Sequence, residues 1–269
     1  MDRTGRDRFP DQTRSLRMVH VDVAIQPIVL RFSLIGNEIS YHFAAGADSQ
    51  LDEMEKRFGI DPKRDTVFDS NLGFLPVATT LLIRGEKTIV VDPGNHHTSS
   101  YGILPSALHK LGVDTNEVDL VVATHCHHDH MAGVSVFEGA ELVVGEGELE
   151  FAREIYGNSK TEAMISGAGS TTEVPLGGSL QLCTGVRAIS TPGHTPGSIS
   201  VLIETDVERY IATGDAAMTR REFETQELGH WYAGAQREQM ARSLQAIHDL
   251  KPTVVFPGHD RAFRPGAPI

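Results

Sequence analysis

Thr124-His125-Cys126-His127-His128-Asp129-His130 follows directly on the apolar run Leu120-Val121-Val122-Ala123. The run reads as a buried strand. At a strand end, side chains two residues apart point to the same side, so His125 and His127 converge on one point. The chain then turns, and Asp129 and His130 face a second point nearby. Two imidazoles for one ion, and a carboxylate plus an imidazole for another, make two half-built sites with a common wall. Such nitrogen and oxygen donors suit zinc, or another borderline first-row ion, better than magnesium or calcium.

Three later segments repeat the grammar of strand, glycine-containing turn and one potential ligand. Residues 189–197 (Ile-Ser-Thr-Pro-Gly-His-Thr-Pro-Gly) place His194 in a rigid loop. Residues 211–215 (Ile-Ala-Thr-Gly-Asp) end a strand in Asp215, and 254–260 (Val-Val-Phe-Pro-Gly-His-Asp) end the last one in His259. Alone, a strand-end Asp or His usually caps a turn. Together with the first cluster, these residues complete two coordination shells.

Composition agrees with this reading. The chain has 269 residues and 13 histidines, the commonest metal ligands. Its 24 Lys+Arg stand against 36 Asp+Glu, a formal charge of −12 that argues against a surface built to neutralise phosphates, hence against nucleic acid as a partner. No run approaches 18 apolar residues, so no membrane span is expected. Residues 1–17 are arginine-rich with no apolar segment after them, which predicts a disordered leader rather than a secretory signal, followed by one domain over 18–269. Cys126 and Cys183 are too few for a disulfide framework, and reduced thiols in a cytoplasmic protein are expected.

Short β-rich runs at 19–25, 28–34 and 38–43 suggest a meander, and 48–58 a short helix. A hairpin is expected from 77–83 and 88–91, a helix at 101–111, and strands at 120–124 and 140–144. A helix at 146–156 precedes a polar stretch, 157–172, that reads either as a loop or as a helix with a weak pattern. Strands follow at 172–174, 180–183, 186–191, 198–204 and 209–213. The strongest helix, 236–250, carries Met240, Leu244, Ile247 and Leu250 on one stripe, before a last strand at 253–256. Strands early and late with helices between them fit two sheets packed face to face, helices outside. His20, His42, His109, His230 and His248 read as surface or structural residues. His96 and His97 follow the turn at Asp92, where such residues are usually exposed. His128 and Cys126 fall out of phase with their neighbours and are expected to point away.

These segments together resemble the metallo-β-lactamase superfamily of metallohydrolases, from about residue 77 to 260. The resemblance implies an αββα four-layer sandwich with two divalent ions at one edge, most often zinc, with manganese, iron or cobalt as alternatives. It implies His125, His127 and His194 as ligands of the first ion. Asp129, His130 and His259 would hold the second, with Asp215 bridging both. Asp92, in Val-Val-Asp-Pro-Gly, matches the superfamily's first motif and would orient a ligand imidazole. A hydroxide between the ions would attack a carbonyl, and Asp129 or Asp215 would pass a proton to the leaving group.

Within the superfamily, the acidic charge argues against a nuclease and the missing signal against a secreted β-lactamase. Glyoxalase II-type thioesterases carry the same histidine motif and add a helical C-terminal domain, whereas ten residues follow His259 here. The N-acyl homoserine lactonase-like branch fits best, implying a small-molecule lactone substrate; homo-oligomers are an open possibility. One residue departs from that branch: Met218 stands where it has a tyrosine that touches the substrate carbonyl, and Tyr232 is the candidate replacement donor. Phe74, Leu75, Phe223, Trp231 and Tyr232 lie in predicted loops and are candidates to wall an apolar substrate channel. A different class is a non-hydrolytic metal protein, either a sensor or a mononuclear iron oxygenase; the oxygenase would not need Asp129 or His259.

Overall fold

Leu82, Val90, Val121 and Leu142 point one way from their strands while Leu81, Ile83, Ile89, Val91, Leu120, Val122 and Val143 point the other, and all are buried. Such continuously apolar strands belong to a sheet covered on both faces. The computed structural model describes residues 78–94, 103–229, 232–260 and 262–267, with the backbone of the strands within 20–22, 29–35, 38–44 and 74–76. The expected leader at 1–17, the helix expected at 48–58, His96, His97, His230 and Trp231 lie outside the described residues.

The first sheet is built from β1 (His20–Asp22), β5 (Leu81–Arg84), β6 (Thr88–Val91), β7 (Leu120–Val122), β8 (Glu141–Gly145) and β9 (Ser170–Val174), side by side in that order. From β6 to β9 the strands run parallel. The second sheet holds β10 (Ser179–Cys183), β11 (Val186–Ser190), β12 (Ile199–Glu204), β13 (Arg209–Gly214) and β14 (Val254–Pro257). Its strands alternate in direction until β14, which lies parallel to β13. Between the sheets Val91, Val122 and Val143 meet Val186, Val201, Ile203 and Phe256. Each such fully buried side chain contributes about 1.5–3 kcal/mol, so this interlayer gives the site a rigid base.

Helices cover both outer faces. α1 (Ile103–Lys110), α2 (His128–Met131), α3 (Glu148–Tyr156) and α4 (Asn158–Met164) supply Leu104, Leu108, Met131, Leu149 and Met164 to the first sheet's outer face. α5 (Arg220–Thr225) and α6 (Gly234–Asp249) bring Phe223, Met240, Leu244 and Ile247 onto Ile211 and Val255 of the second. The expected helix–sheet–sheet–helix order is what forms.

Three local expectations need correction. The N-terminal meander divides: β1 pairs with β5, while β2 (Val29–Ile35), β3 (Glu38–Ala44) and β4 (Phe74–Pro76) form a separate three-stranded sheet. Phe74 therefore sits in a strand, opposite Ser33, and not in a loop. Its segment is three residues long, too short for alternation to reveal. Of the two readings left open for 157–172, a helix does form, α4, whose Asn-Ser-Lys-Thr-Glu-Ala-Met buries only Thr161 and Met164 and so lacks a legible apolar stripe. Phe223 lies on α5, where it is fully buried against His248 and Phe263, and so is a packing residue rather than a channel wall. The helix begins at Thr219, whose hydroxyl accepts the Glu222 amide.

Candidate metal centre

β6, β7, β11, β13 and β14 all point their C-terminal ends at one edge of the sandwich, the side where open α/β sheets place ligands. Each is followed by a turn that carries a polar side chain into the same place. After β7 come His125 and His127. Nε2 of His125 lies 3.0 Å from Nδ1 of His127, which is 2.9 Å from Nε2 of His194. The one-turn helix α2 carries the next two donors. Nε2 of His130 is 3.3 Å from Nε2 of His259, and Oδ2 of Asp129 lies 3.5 Å from His259 and 3.7 Å from His130.

Asp215 stands between the two groups and divides its oxygens. Oδ2 is 3.2 Å from Nε2 of His194 and 3.9 Å from Nε2 of His125. Oδ1 is 3.4 Å from Nε2 of His130 and 3.3 Å from Nε2 of His259. All seven residues picked from the sequence are thus brought together. Three sets of donors, His125–His127–His194, His125–His130–Asp215 and Asp129–His130–His259, are spaced to hold a cation. Oδ1 of Asp215 is buried without a hydrogen-bond partner. An orphaned buried carboxylate oxygen is costly, and a cation is the partner that satisfies it. The donors fit divalent metal ions.

The outer nitrogens of His130 and His194 are also occupied. Asp92 accepts from Nδ1 of His130 at 2.9 Å, from the Thr124 amide at 2.7 Å and from the Thr124 hydroxyl at 2.8 Å. It therefore holds His130 and the start of the loop that follows β7 at once. Its backbone is held at φ 49°, left-handed for a non-glycine residue, with the carbonyl accepting from the Thr80 hydroxyl. Nδ1 of His194 is 2.6 Å from the Tyr232 hydroxyl.

Burial depresses the basicity of His125 well below the usual range, lowers that of His127, and takes His194 down to about 4. Neutral imidazoles are what a metal needs. Burial acts the same way on His130 and His259, yet the surrounding carboxylates, Asp215 foremost, outweigh it; His130 rises to about 10. Burial pushes the Asp215 carboxyl up, but His259, His130 and His194 hold it far below the carboxylate range. Asp129 is likewise lowered by His130 and His259 against burial.

The surrounding residues separate into lining and packing. Tyr232 closes on His194 and is buried. Met218 is buried among Phe223, Leu228 and Met240, and its carbonyl accepts the His259 amide at 2.8 Å, so it supports a site residue through its backbone. Phe151 of α3 lies 5.7 Å from the His127 ring, a neighbour the sequence did not single out. His128 turns to Tyr156, whose hydroxyl accepts its amide, and Cys126 is buried in the core, both pointing away as expected. His109 is an exposed partner of Asp114, and His248 stacks on Phe223. Two buried acids were missed. Glu148 accepts backbone amides from two ligand loops, and Glu222 accepts the Met218 amide. Both occupy first turns of helices, where an acidic residue is ordinarily read as a dipole partner. Among the described residues no helix is long and apolar enough to cross a membrane.

The profile of the Metallo-beta-lactamase superfamily matches residues 72–259. An N-acyl homoserine lactonase of Bacillus cereus is 28% identical over 223 residues, 72% of this chain and 85% of that protein. A probable metallo-hydrolase of Methanocaldococcus jannaschii is 30% identical over 146 residues, 51% of this chain and 66% of its own length. Among solved structures, an N-acyl homoserine lactone hydrolase with the product N-hexanoyl-L-homoserine at its catalytic metal center has a TM-score of 0.60 at 20% identity, covering 91% of this chain and 94% of that one.

Proposed function

The chain belongs to the metallo-beta-lactamase superfamily, and from that premise we propose that it is a dinuclear-metal hydrolase that opens the ester bond of a lactone. The observation that carries the reading is the division of the Asp215 carboxylate, one oxygen facing His125 and His194 and the other facing His130 and His259. A single-ion site needs no such bridge. The imidazole-rich donor set favours zinc over magnesium or calcium.

Divalent ions bound here would supply Lewis acidity toward the substrate carbonyl and acidify a water at neutral pH. The rest falls to the chain's own residues. His125, His127 and His194 would hold one ion, and Asp129, His130 and His259 the other, with Asp215 common to both. Asp92 would fix which ring nitrogen His130 presents, and Tyr232 which one His194 presents. Of the two carboxylates in the cluster, Asp215 is 4% exposed and Asp129 30% exposed. The greater exposure of Asp129 supports it as the group that would deliver a proton to the leaving alkoxide oxygen and recover one from solvent. The sequence relatives named as N-acyl homoserine lactonases support a lactone with an acyl chain as the substrate.

Metal analysis on the purified protein, combined with lactone, thioester and phosphoester turnover on the same preparation, tests the reading. Two ions per chain and preferential lactone opening are expected. One ion or none removes the dinuclear mechanism. Thioester turnover without lactone turnover replaces the lactonase by a thioesterase of the glyoxalase II type.

A further inference from the structure

Glu148, the first residue of α3, is completely buried and lies in none of the donor sets. Its two carboxylate oxygens serve two different loops. Oε2 accepts the Cys126 amide at 2.7 Å, and Oε1 accepts the Gly197 amide at 2.7 Å. Cys126 lies between His125 and His127, and Gly197 three residues after His194. A single carboxylate thus joins the backbones that carry all three histidines of the first donor group. We propose that Glu148 is a positioning residue that sets the spacing of His125 and His127 against His194 before any ion arrives. The proposal rests on the metal-centre reading above.

The packing around it leaves no slack. A Cβ on Gly145 would fall on the Gly197 carbonyl, and one on Gly197 would fall on the Glu146 carbonyl and within 3.0 Å of the Glu148 side chain. The turn after His194 is therefore seated directly on the start of α3. One further backbone bond, from the Ile199 amide to the Thr124 carbonyl at 2.8 Å, joins the same loops. Serving the helix dipole alone would not require burial, since an exposed acid in the first turn does that. Burying a carboxylate is costly unless its oxygens are fully used, and here each oxygen takes one loop. Glutamine has the same shape but would turn an NH2 toward one of the two amides, orphaning that donor.

Metal-free wild-type protein and Glu148→Gln are titrated with Co2+ against a competing chelator. In parallel, NMR follows hydrogen exchange of the Cys126 and Gly197 amides in the metal-free wild type. The expected result is slow exchange at both amides without metal. In the variant, the ion held by His125, His127 and His194 binds at least tenfold more weakly with a shifted Co2+ absorption band, while the other is retained within about twofold. Unchanged binding at both sites, equal weakening at both, or fast exchange of either amide overturns the positioning role. If the variant does not fold, the exchange measurement alone decides. A wild type that takes up no Co2+ while both amides stay protected overturns the metal-centre reading instead, which keeps the two failures apart.

Discussion

The Asp92 carboxylate lies 2.9 Å from Nδ1 of His130 and, through the same side chain, holds the Thr124 amide and hydroxyl. It fixes the His130 tautomer that presents Nε2 to Asp215 and His259. Asp92→Asn separates this function from the backbone strain, because asparagine also tolerates the left-handed φ of 49°. Metal affinity is expected to fall about 10–100-fold with the fold retained. Equilibrium dialysis with circular dichroism on the same sample checks both halves. Unchanged affinity would show that His130 needs no carboxylate behind it.

Gly258 packs against Asp215, the carboxylate that faces both groups of donors. A Cβ there would fall on Oδ1 of Asp215 and within 2.8 Å of the Gly214 carbonyl. Gly258→Ala must therefore displace Asp215, and His259 beside it, without removing any ligand. A misplacement on the order of 1 Å can cost about 100-fold in rate. Gly258→Ala is expected to lose at least that much hydrolysis and to bind less than a full complement of metal, with Asp215→Asn as the companion. Turnover at the wild-type level in Gly258→Ala would mean that the carboxylate position does not matter.

The donors were legible because each follows an apolar strand through a short turn. That grammar survives in the sequence of Leu120–Val122 before His125 and of Val254–Pro257 before His259. What joins the loops was not legible. Glu148 and Glu222 look like ordinary first-turn acids; Glu148 gains its role from the distant Gly197, and Glu222 from a local bond to the Met218 amide four residues before it, inside a buried turn. Phe223 misled for a related reason. Arg-Arg-Glu-Phe-Glu-Thr carries one apolar residue, too few for a helical stripe, so its place under His248 emerges only in three dimensions.

Tyr232 answers part of the question raised by Met218. Its hydroxyl is 2.6 Å from Nδ1 of His194, and its ring is buried beside Met240 and Leu228. Tyr232→Phe keeps the packing and removes the oxygen, so unfolding should change by about 1 kcal/mol. Affinity for the ion held with His125 and His127 should drop about tenfold. Chelator competition on wild type and variant measures the second quantity, thermal melting in chelator the first. A large loss of stability with no loss of metal would recast Tyr232 as a core residue only.

Glu222 links the site to pH. Burial pushes its carboxyl up to about 7, against amides from Met218, Gly229 and Thr219 that favour the charged form. A folded-state value above the unfolded value of about 4.3 means that the folded protein prefers the protonated acid. The associated stability is fully present below the unfolded value and is lost as pH rises through 7. The shift corresponds to about 4 kcal/mol at most. Glu222→Gln lacks this titration, so its stability relative to wild type should improve between pH 5 and pH 8, as read by urea unfolding of the metal-free proteins. The loss reaches the metal centre through Met218, whose amide donates to Glu222 and whose carbonyl accepts the His259 amide. A difference between variant and wild type that stays constant across this range would show that Glu222 is already ionised in the folded protein, and that the Met218 turn holds His259 equally well at either pH.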